Sequence, residues 1–295
     1  MSCHTKRIAV LMINTPKNHS YGHLASHINY KYCSKHHYTF LMETCPRKED
    51  MKKDWMWDDN NQYVIVWSKI TLIKRHLPHY DYLFYIDSDA VFTNQENTIE
   101  NFVQKHVQNK DTCIIAGEDC LKRDHCWAKN GLNAGTLLFV NRPQTFKILD
   151  HWFSAMDKEC ADWKYVHTRE QMCLQILLEK YYKKHIKIIP YDEMNGLDGK
   201  WIQHYMQMTN EERINYMSPF FHKFFEEECH IPVLSSTSIP SLLEISTSCP
   251  PLKTTVVTNF TDRSWFFYVV FMIFIIMIAC MMVRKLKILN QTKKR

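Results

Sequence analysis

The chain is poor in glycine and proline and has no regular cysteine pattern. Only 6 of its 295 residues are Gly and 10 are Pro, which excludes collagen-like and glycine-rich architectures. Its 11 cysteines are irregularly spaced and include no C-x-x-C pair, so the common zinc and redox motifs are absent. A hydrophobic share of 45% excludes a disordered or fibrous chain. The composition is that of a globular protein with room for one large domain or two modest ones.

Acidic residues are missing from the basic tail, residues 284–295. This tail holds six Lys or Arg residues, and the formal net charge of the whole chain is also +6. The rest of the chain is therefore balanced in charge. A diffuse basic surface for nucleic acid is not predicted, and the tail is better interpreted as a membrane topology signal or a contact for lipid headgroups.

A run of 19 uncharged residues, 265–283, precedes this tail. As a helix it would be roughly 28 Å long, close to a bilayer core of about 30 Å. The alternative is a core helix, but core helices are seldom apolar on every face and seldom followed by a basic run. We predict a single-pass transmembrane helix at 265–283.

The side of the membrane that the domain faces is open from sequence. No signal peptide is evident, because the early apolar run 8–13 is short and is predicted to be a strand. Insertion after synthesis would leave the domain in the cytosol, which we favour, whereas the positive-inside rule would place it in an endomembrane lumen. In a lumen, Cys120 and Cys126 could form a disulfide, and the sequons at Asn18 and Asn259 could carry glycans.

Composition divides the chain ahead of the anchor into two parts. Residues 231–264 are dense in Ser, Thr and Pro without apolar periodicity, which predicts a flexible stalk of about 30 Å. In residues 1–230, short apolar runs alternate with helical patterns, which predicts an α/β domain with a mainly parallel sheet. The predicted strands are 7–14, 37–43, 63–66, 82–86, 112–116 and 136–140, and the predicted helices are 21–33, 68–77, 144–156 and 168–180.

The strand predicted at 82–86 ends abruptly in Asp87-Ser-Asp89. Two neighbouring carboxylates repel each other unless a cation lies between them, and Mg²⁺ or Mn²⁺ binds both carboxylate and phosphate oxygens. A turn or a helix cap is the ordinary alternative for a D-x-D sequence. The position directly after a buried strand favours a metal site, because α/β sheets bind ligands at the carboxyl ends of their strands.

Around this motif the chain resembles a family of glycosyltransferases that includes fungal mannan α-mannosyltransferases, galactomannan galactosyltransferase and plant xyloglucan α-xylosyltransferases. The resemblance spans about residues 7–225. It implies a GT-A fold, a Rossmann-like nucleotide-sugar-binding single domain, and metal-dependent transfer that retains the anomeric configuration. The segments that carry it, in order, are Trp67-Ser-Lys69, 80–90, 131–142, Glu170-Gln171, Asn195 and Pro219-Phe-Phe-His222.

The resemblance also implies roles for individual residues. Asp87, Asp89 and His222 would bind Mn²⁺ or Mg²⁺, and the ion would neutralise charge on the departing diphosphate. Glu170 and Gln171 would be catalytic. Glu170 would orient or stabilise an oxocarbenium-like sugar, and Gln171 would form hydrogen bonds with the sugar hydroxyls. The partners would be a UDP- or GDP-sugar donor and a glycan or glycoprotein acceptor. The residues expected to bind the donor are Asn14, Thr15, Lys69, Ser88, Asn133 and Gly135.

Structural interpretations of the same residues stay open. His222 is also explained as a partly buried histidine among phenylalanines, Lys69 as a surface lysine, Glu170 as a first-turn charge on a helix, and residues 133–135 as a tight turn. The sequence departs from the family where Glu170 replaces Asp and where Lys223 follows the histidine segment. The rival hypothesis is therefore a non-catalytic glycan-binding or envelope-structural membrane protein that retains the fold.

Overall fold

The computed structural model describes residues 6–44, 62–119, 131–226 and 243–246. The strands are β1 (Ile8–Ile13), β2 (Thr39–Glu43), β3 (Tyr82–Asp87), β4 (Ala90–Phe92), β5 (Ile114–Glu118), β6 (Leu132–Val140), β7 (Ile186–Ile189), β8 (Ile202–His204) and β9 (Leu243–Ser246). The α-helices are α1 (His19–Lys35), α2 (Gln62–His76), α3 (Ile99–His106), α4 (Pro143–Ala155), α5 (Glu170–Leu177), α6 (Tyr191–Met194) and α7 (Asn210–Glu226).

Within these residues the strands form one sheet of seven strands, ordered β7-β5-β6-β3-β1-β2-β9, and a separate ribbon of β4 and β8. β1 pairs in parallel with both β2 and β3, which agrees with the predicted mainly parallel sheet. β6 is the exception, because it runs antiparallel to β3 and β5. All nine residues of β6 are buried, as expected for a strand covered on both faces.

Successive residues of β1 enter two hydrophobic cores, one on each face of the sheet. Leu11 belongs to a core that includes Trp67 of α2 and Trp152 of α4. Val10 belongs to the opposite core, in which Tyr32 of α1 stacks on Phe92 with ring centres 3.9 Å apart. The sheet thus packs against α2, α4 and α5 on one side and α1 and α7 on the other.

The prediction of a strand at 63–66 is wrong, because these residues lie in α2. A run of four apolar residues is too short to separate a strand from a buried helical turn, and no Gly or Pro interrupts the chain between it and the predicted helix 68–77. The helical pattern therefore continues upstream. The other predicted elements are present with shifted bounds.

The segment predicted as an unstructured stalk contains β9, which pairs in parallel with β2 at the edge of the sheet. The expectation of no regular structure in 231–264 is wrong for these four residues, because the free edge of β2 offers backbone hydrogen bonds to an extended segment. Chain contacts separate Met1–Val256 from Val257–Arg295. The second unit, with the predicted anchor at 265–283 and the tail, lies outside the described residues. In the part of the chain that is described, no helix is long and apolar enough to cross a membrane.

Candidate active site

A cleft of about 370 Å³ opens where β1 and β3 end side by side. Ile13 and Asp87, the last residues of these two parallel strands, are in register and both line it. This edge of an α/β sheet is the usual ligand site, and the volume is within the range of about 300–1,000 Å³ found for small-molecule pockets. The fold therefore places the D-x-D motif in a ligand-sized cleft.

Asp87, Asp89 and His204 gather their oxygen and nitrogen atoms within 4.8 Å of one another. β3 ends at Asp87, and Asp89 directly precedes β4. β8 pairs with β4 so that Ala90 is opposite His204, and His204 Nε2 comes to 3.2 Å from Asp89 Oδ1. The ribbon of β4 and β8 thus adds an imidazole to the two carboxylates.

Asn195 orients the imidazole of His204. The Asn195 side-chain NH₂ donates to the backbone oxygen of Glu118 at 2.9 Å, so the Asn195 Oδ1 is the atom 2.6 Å from His204 Nδ1. An oxygen here requires a proton on Nδ1, so Nε2 is the ring nitrogen that faces the Asp89 carboxylate. That contact is repulsive unless a proton or a cation lies between the two atoms. For this reason the two carboxylates and the imidazole fit a divalent cation.

The structure does not place the predicted ligand His222 in this group. His222 is exposed near the end of α7, with its ring 6.0 Å from that of Phe221, and it does not line the cleft. Helical geometry is the reason, because Phe220, Phe221 and Phe224 occupy the core-facing side of α7. The histidine beside the aspartates is His204, and this corrects the position predicted from sequence.

Lys69 of α2 lies buried between two carboxylates of the cleft. Its ammonium is 2.9 Å from Glu170 Oε1 and 3.4 Å from Asp87 Oδ1, and it donates to the backbone oxygen of Ala134 at 3.1 Å. Burial alone would lower the pKa of Lys69, but the two carboxylates outweigh it and raise the pKa above its ordinary value. The cleft therefore holds a fixed positive charge beside the aspartates.

The pKa values of Asp87 and Asp89 are shifted in opposite directions. Desolvation raises the pKa of Asp87, with Asp89 adding to the rise and Lys69 opposing it. Burial also acts to raise the pKa of Asp89, but His204 and Arg213 outweigh it and hold that pKa below its ordinary value. Arg213 of α7 places Nη2 3.1 Å from Asp89 Oδ2. Asp89 is thus the more strongly ionised member of the pair.

Gly135 in β6 permits the close approach of these side chains. A Cβ at this position would lie 2.3 Å from His204 Cε1 and 2.8 Å from Asp87 Oδ2, so only glycine fits. Asn133 Oδ1 accepts from the Gly135 NH at 2.7 Å, and Gln171 Oε1 accepts from the Ala134 NH at 3.0 Å. The segment predicted at 133–135 is part of β6 rather than a turn before it.

The structure brings together most of the residues predicted from sequence. Asn14 is not among the lining residues; it is buried against Gly22, where a Cβ would lie 2.1 Å from Asn14 Oδ1. Sequence reasoning missed Tyr21 and Arg213, which also line the cleft and carry no local motif. The predicted residues that line it are Thr15, Lys69, Asp87, Ser88, Asp89, Asn133, Gly135, Glu170 and Gln171.

This fold, with a pair of carboxylates where β3 ends and β4 begins, is that of the GT-A glycosyltransferases. A solved glycosyltransferase involved in the glycosylation of the major capsid of PBCV-1 has the same fold, with a TM-score of 0.54 at 15% identity over 72% of this chain and 99% of that one. The predicted central α/β fold is confirmed by this similarity.

Sequence similarity points to a particular family within this class. Residues 4–116 match the galactosyl transferase GMA12/MNN10 family. Galactomannan galactosyltransferase 1 of Cyamopsis tetragonoloba is 27% identical over 126 residues, 42% of this chain and 25% of that protein. A probable alpha-1,2-galactosyltransferase of Schizosaccharomyces pombe is 26% identical over 165 residues, 44% of this chain and 45% of its own length. The chain thus spans less than half of each relative, and the resemblance to this family is confirmed.

Proposed function

We propose that the protein is a metal-dependent glycosyltransferase that moves a sugar, with retention, from a nucleoside diphosphate sugar to a glycan or glycoprotein. The grouping of Asp87, Asp89 and His204 within 4.8 Å carries the proposal. Both curated relatives are named as galactosyltransferases, so a galactose donor is the first to test.

Two carboxylates and one imidazole suit a divalent cation that also accepts phosphate oxygens, and Mn²⁺ is the first candidate. When bound, such an ion would supply Lewis-acid stabilisation to the departing diphosphate. Asp87 and Asp89 would hold the ion, and Nε2 of His204 would be its third protein ligand. Asn195 fixes the orientation of the ring through its contact with Nδ1, so that Nε2 faces the carboxylates.

Lys69 and Glu170 would stabilise opposite charges during the reaction. Lys69 is a preorganised positive charge that opposes the charge developing on the diphosphate. Glu170 Oε1 is engaged by the Lys69 ammonium at 2.9 Å, so we assign Glu170 to stabilising an oxocarbenium-like sugar rather than to covalent attack. Gln171 uses its oxygen to accept from Ala134, which leaves its NH₂ to donate to a sugar hydroxyl. As the bond between the anomeric carbon and the diphosphate oxygen breaks, the acceptor hydroxyl oxygen would bond to that carbon on the same face and give its proton to the departing diphosphate, which gives retention.

The test is release of nucleoside diphosphate by the full chain in detergent with Mn²⁺ and a panel of UDP- and GDP-sugars. We expect turnover with one donor, and loss of nearly all of it in Asp87→Asn and in Asp89→Asn. Asp198→Asn is the matched control, because Asp198 is exposed and does not line the cleft. Undiminished turnover in the two cleft variants would overturn the proposal. Donor binding without turnover in the wild type would favour the glycan-binding alternative.

We also propose that the predicted anchor at 265–283 holds the domain on the lumenal side of a membrane. Cys160 and Cys173 form a disulfide in the structure, and disulfides persist mainly in oxidising compartments. This bond supports the lumenal orientation over the cytosolic one that we favoured from sequence. Asn18 lines the cleft and donates to Ser88 at 3.2 Å, so its sequon is poorly placed to carry a glycan. The predicted bond between Cys120 and Cys126 lies outside the described residues.

A further inference from the structure

One face of α1 carries a histidine at every fourth position, His19, His23 and His27. Residues four apart lie on the same side of a helix. His23 and His27 bring their Nε2 atoms to 3.1 Å from each other, and the ring of His19 stacks on that of His23 with centres 5.7 Å apart. None of these three described residues lines the catalytic cleft. The row is therefore a cluster of imidazole side chains outside the cleft.

The distance between the two Nε2 atoms fits chelation. Two nitrogens bound to one tetrahedral Zn²⁺ at about 2.0–2.1 Å lie about 3.3–3.4 Å apart. The observed 3.1 Å differs from this by a few tenths of an ångström, which small side-chain rotations provide without moving the helix. In the metal-free protein the same distance suits a hydrogen bond in which one ring donates its N–H to the other.

The protonation of these rings favours a metal. Burial, with His23 adding to it, lowers the pKa of His27 to about 4, and burial with the neighbouring His19 also lowers the pKa of His23. The neutral imidazole is the form that binds metals. Metal binding at neutral pH therefore does not first have to remove a proton from either ring.

His27 is packed against α7, whereas His23 is accessible to solvent. His27 is half-buried, and its ring contacts those of Phe221 and Phe225 of α7 edge-on, with centres 6.0 and 6.1 Å away. His23 is exposed. The next residue of the row, Lys31, has its ammonium 5.8 Å from the centre of the Phe225 ring. A bound ion would thus have two protein ligands and room for water on its outer side.

We propose that His23 and His27 form a second metal site on α1, which binds Zn²⁺ and other metals that prefer imidazole. Nitrogen ligands without a carboxylate suit Zn²⁺, Cu²⁺ and Ni²⁺, whereas Mn²⁺ and Mg²⁺ prefer oxygen. This proposed site and the one at Asp87 and Asp89 therefore differ in the metals that they favour. Zn²⁺ bridging one turn of α1 stabilises the native helix, because the ion binds the folded arrangement and not the unfolded chain.

The experiment measures Zn²⁺ binding by titration calorimetry and the Zn²⁺-induced rise in melting temperature, using the full chain in detergent. Every protein carries His204→Ala, which removes the imidazole of the catalytic cleft. We expect His23→Ala and His27→Ala each to weaken Zn²⁺ binding by roughly tenfold or more and to abolish the rise in melting temperature. His79→Ala is the matched control, because His79 is exposed and far along the chain from α1, and it should bind Zn²⁺ like its parent.

The proposal is overturned if the parent shows no Zn²⁺-induced stabilisation, or if the double variant of His23 and His27 retains it. Mn²⁺ provides a second control, and stabilisation by Mn²⁺ equal to that by Zn²⁺ would also contradict an imidazole-selective site. Because His23 is exposed, His23→Ala is expected to fold, and its metal-free melting temperature checks this. None of these readouts depends on glycosyl transfer.

Discussion

At the scale of single residues, Gly135 shows how tightly the cleft is built. The position has space for a hydrogen only, because a side-chain carbon there would overlap both His204 and Asp87. Those two residues approach from different elements, β8 and β3. A residue without any chemistry of its own thus sets the distance between the groups that would bind the cation.

Gly135→Ala is expected to reduce turnover by about 100-fold, because displacing catalytic groups by around 1 Å has effects of that size. The affinity for Mn²⁺ should fall with it, while the fold persists. Gly196→Ala is the control, since the atoms nearest to its Cβ would belong to the Tyr191 ring, at 3.0 Å, and to the Asp198 carboxylate, at 3.4 Å. If Gly135→Ala kept the turnover and the Mn²⁺ affinity of the wild type, the added methyl group would be accommodated without displacing His204 and Asp87.

Single residues also show how far the sequence could lead. Asp87 and Asp89 were predicted because an apolar strand ends directly before them, which is a local pattern. His204 was missed because its role depends on the pairing of β8 with β4 across more than a hundred residues. The only local signal was the short alternating stretch Ile202-Gln-His204, whereas His222 lay in a segment resembling the family motif.

At the scale of elements, the connection between α4 and α5 is held by the disulfide of Cys160 and Cys173. The enclosed chain includes His167, Thr168 and Arg169, which line the cleft. Joining residues 13 positions apart stabilises the folded state by about 3 kcal/mol in the chain-entropy account. The bond therefore positions one wall of the cleft.

Replacing both cysteines by serine should lower the free energy of unfolding by about 3 kcal/mol and raise KM for the donor. Denaturant unfolding and donor titrations measure the two effects. The wild type treated with reductant should behave in the same way. An unchanged unfolding midpoint in both samples would mean that the bond does not constrain this segment.

A second pair of elements, α3 and α6, is joined by Glu193, whose Oε2 is 2.8 Å from Lys105 Nζ and 2.9 Å from His106 Nε2. Burial would raise the pKa of Glu193, but the hydrogen bonds from Lys105 and His106 outweigh it and lower the pKa. A lowered folded pKa gives stability that is present above the unfolded value and is lost as the pH falls through the folded one.

Glu193→Gln should therefore cost roughly 1 kcal/mol of stability near neutral pH, and the difference from the wild type should shrink as the pH falls below the ordinary glutamate pKa of about 4.3. Denaturant unfolding at several pH values measures it. Glu211→Gln is the control, because Glu211 is exposed in the first turn of α7. A difference that grows in acid would contradict the sign of the argument.

Elements were predictable where their pattern is local. The strands β1, β2 and β3 followed from apolar runs, and α1 followed from its spacing. β4 and β8 have only three residues each, too few to show a period, so their ribbon could not be predicted. β9 could not be predicted either, since its pairing depends on the free edge of β2.

At the scale of the whole molecule, the net charge of +6 belongs to the basic tail, whereas Lys69 and Arg213 in the cleft are each paired with a carboxylate. The predicted anchor at 265–283 would hold this domain at a membrane. The full chain should remain with membranes after alkaline carbonate extraction, and a chain that ends at residue 264 should be released, because 19 apolar residues insert stably in a bilayer. Release of both chains would contradict the anchor.

We propose that Asp87, Asp89 and His204 together bind one divalent cation for the donor diphosphate. The most direct measurement is Mn²⁺ affinity of the full chain, in the presence of UDP, for the wild type, His204→Ala and His222→Ala. We expect the Mn²⁺ affinity to fall at least about tenfold in His204→Ala and to be unchanged in His222→Ala. Equal affinities in all three proteins, or a loss in His222→Ala alone, would contradict it.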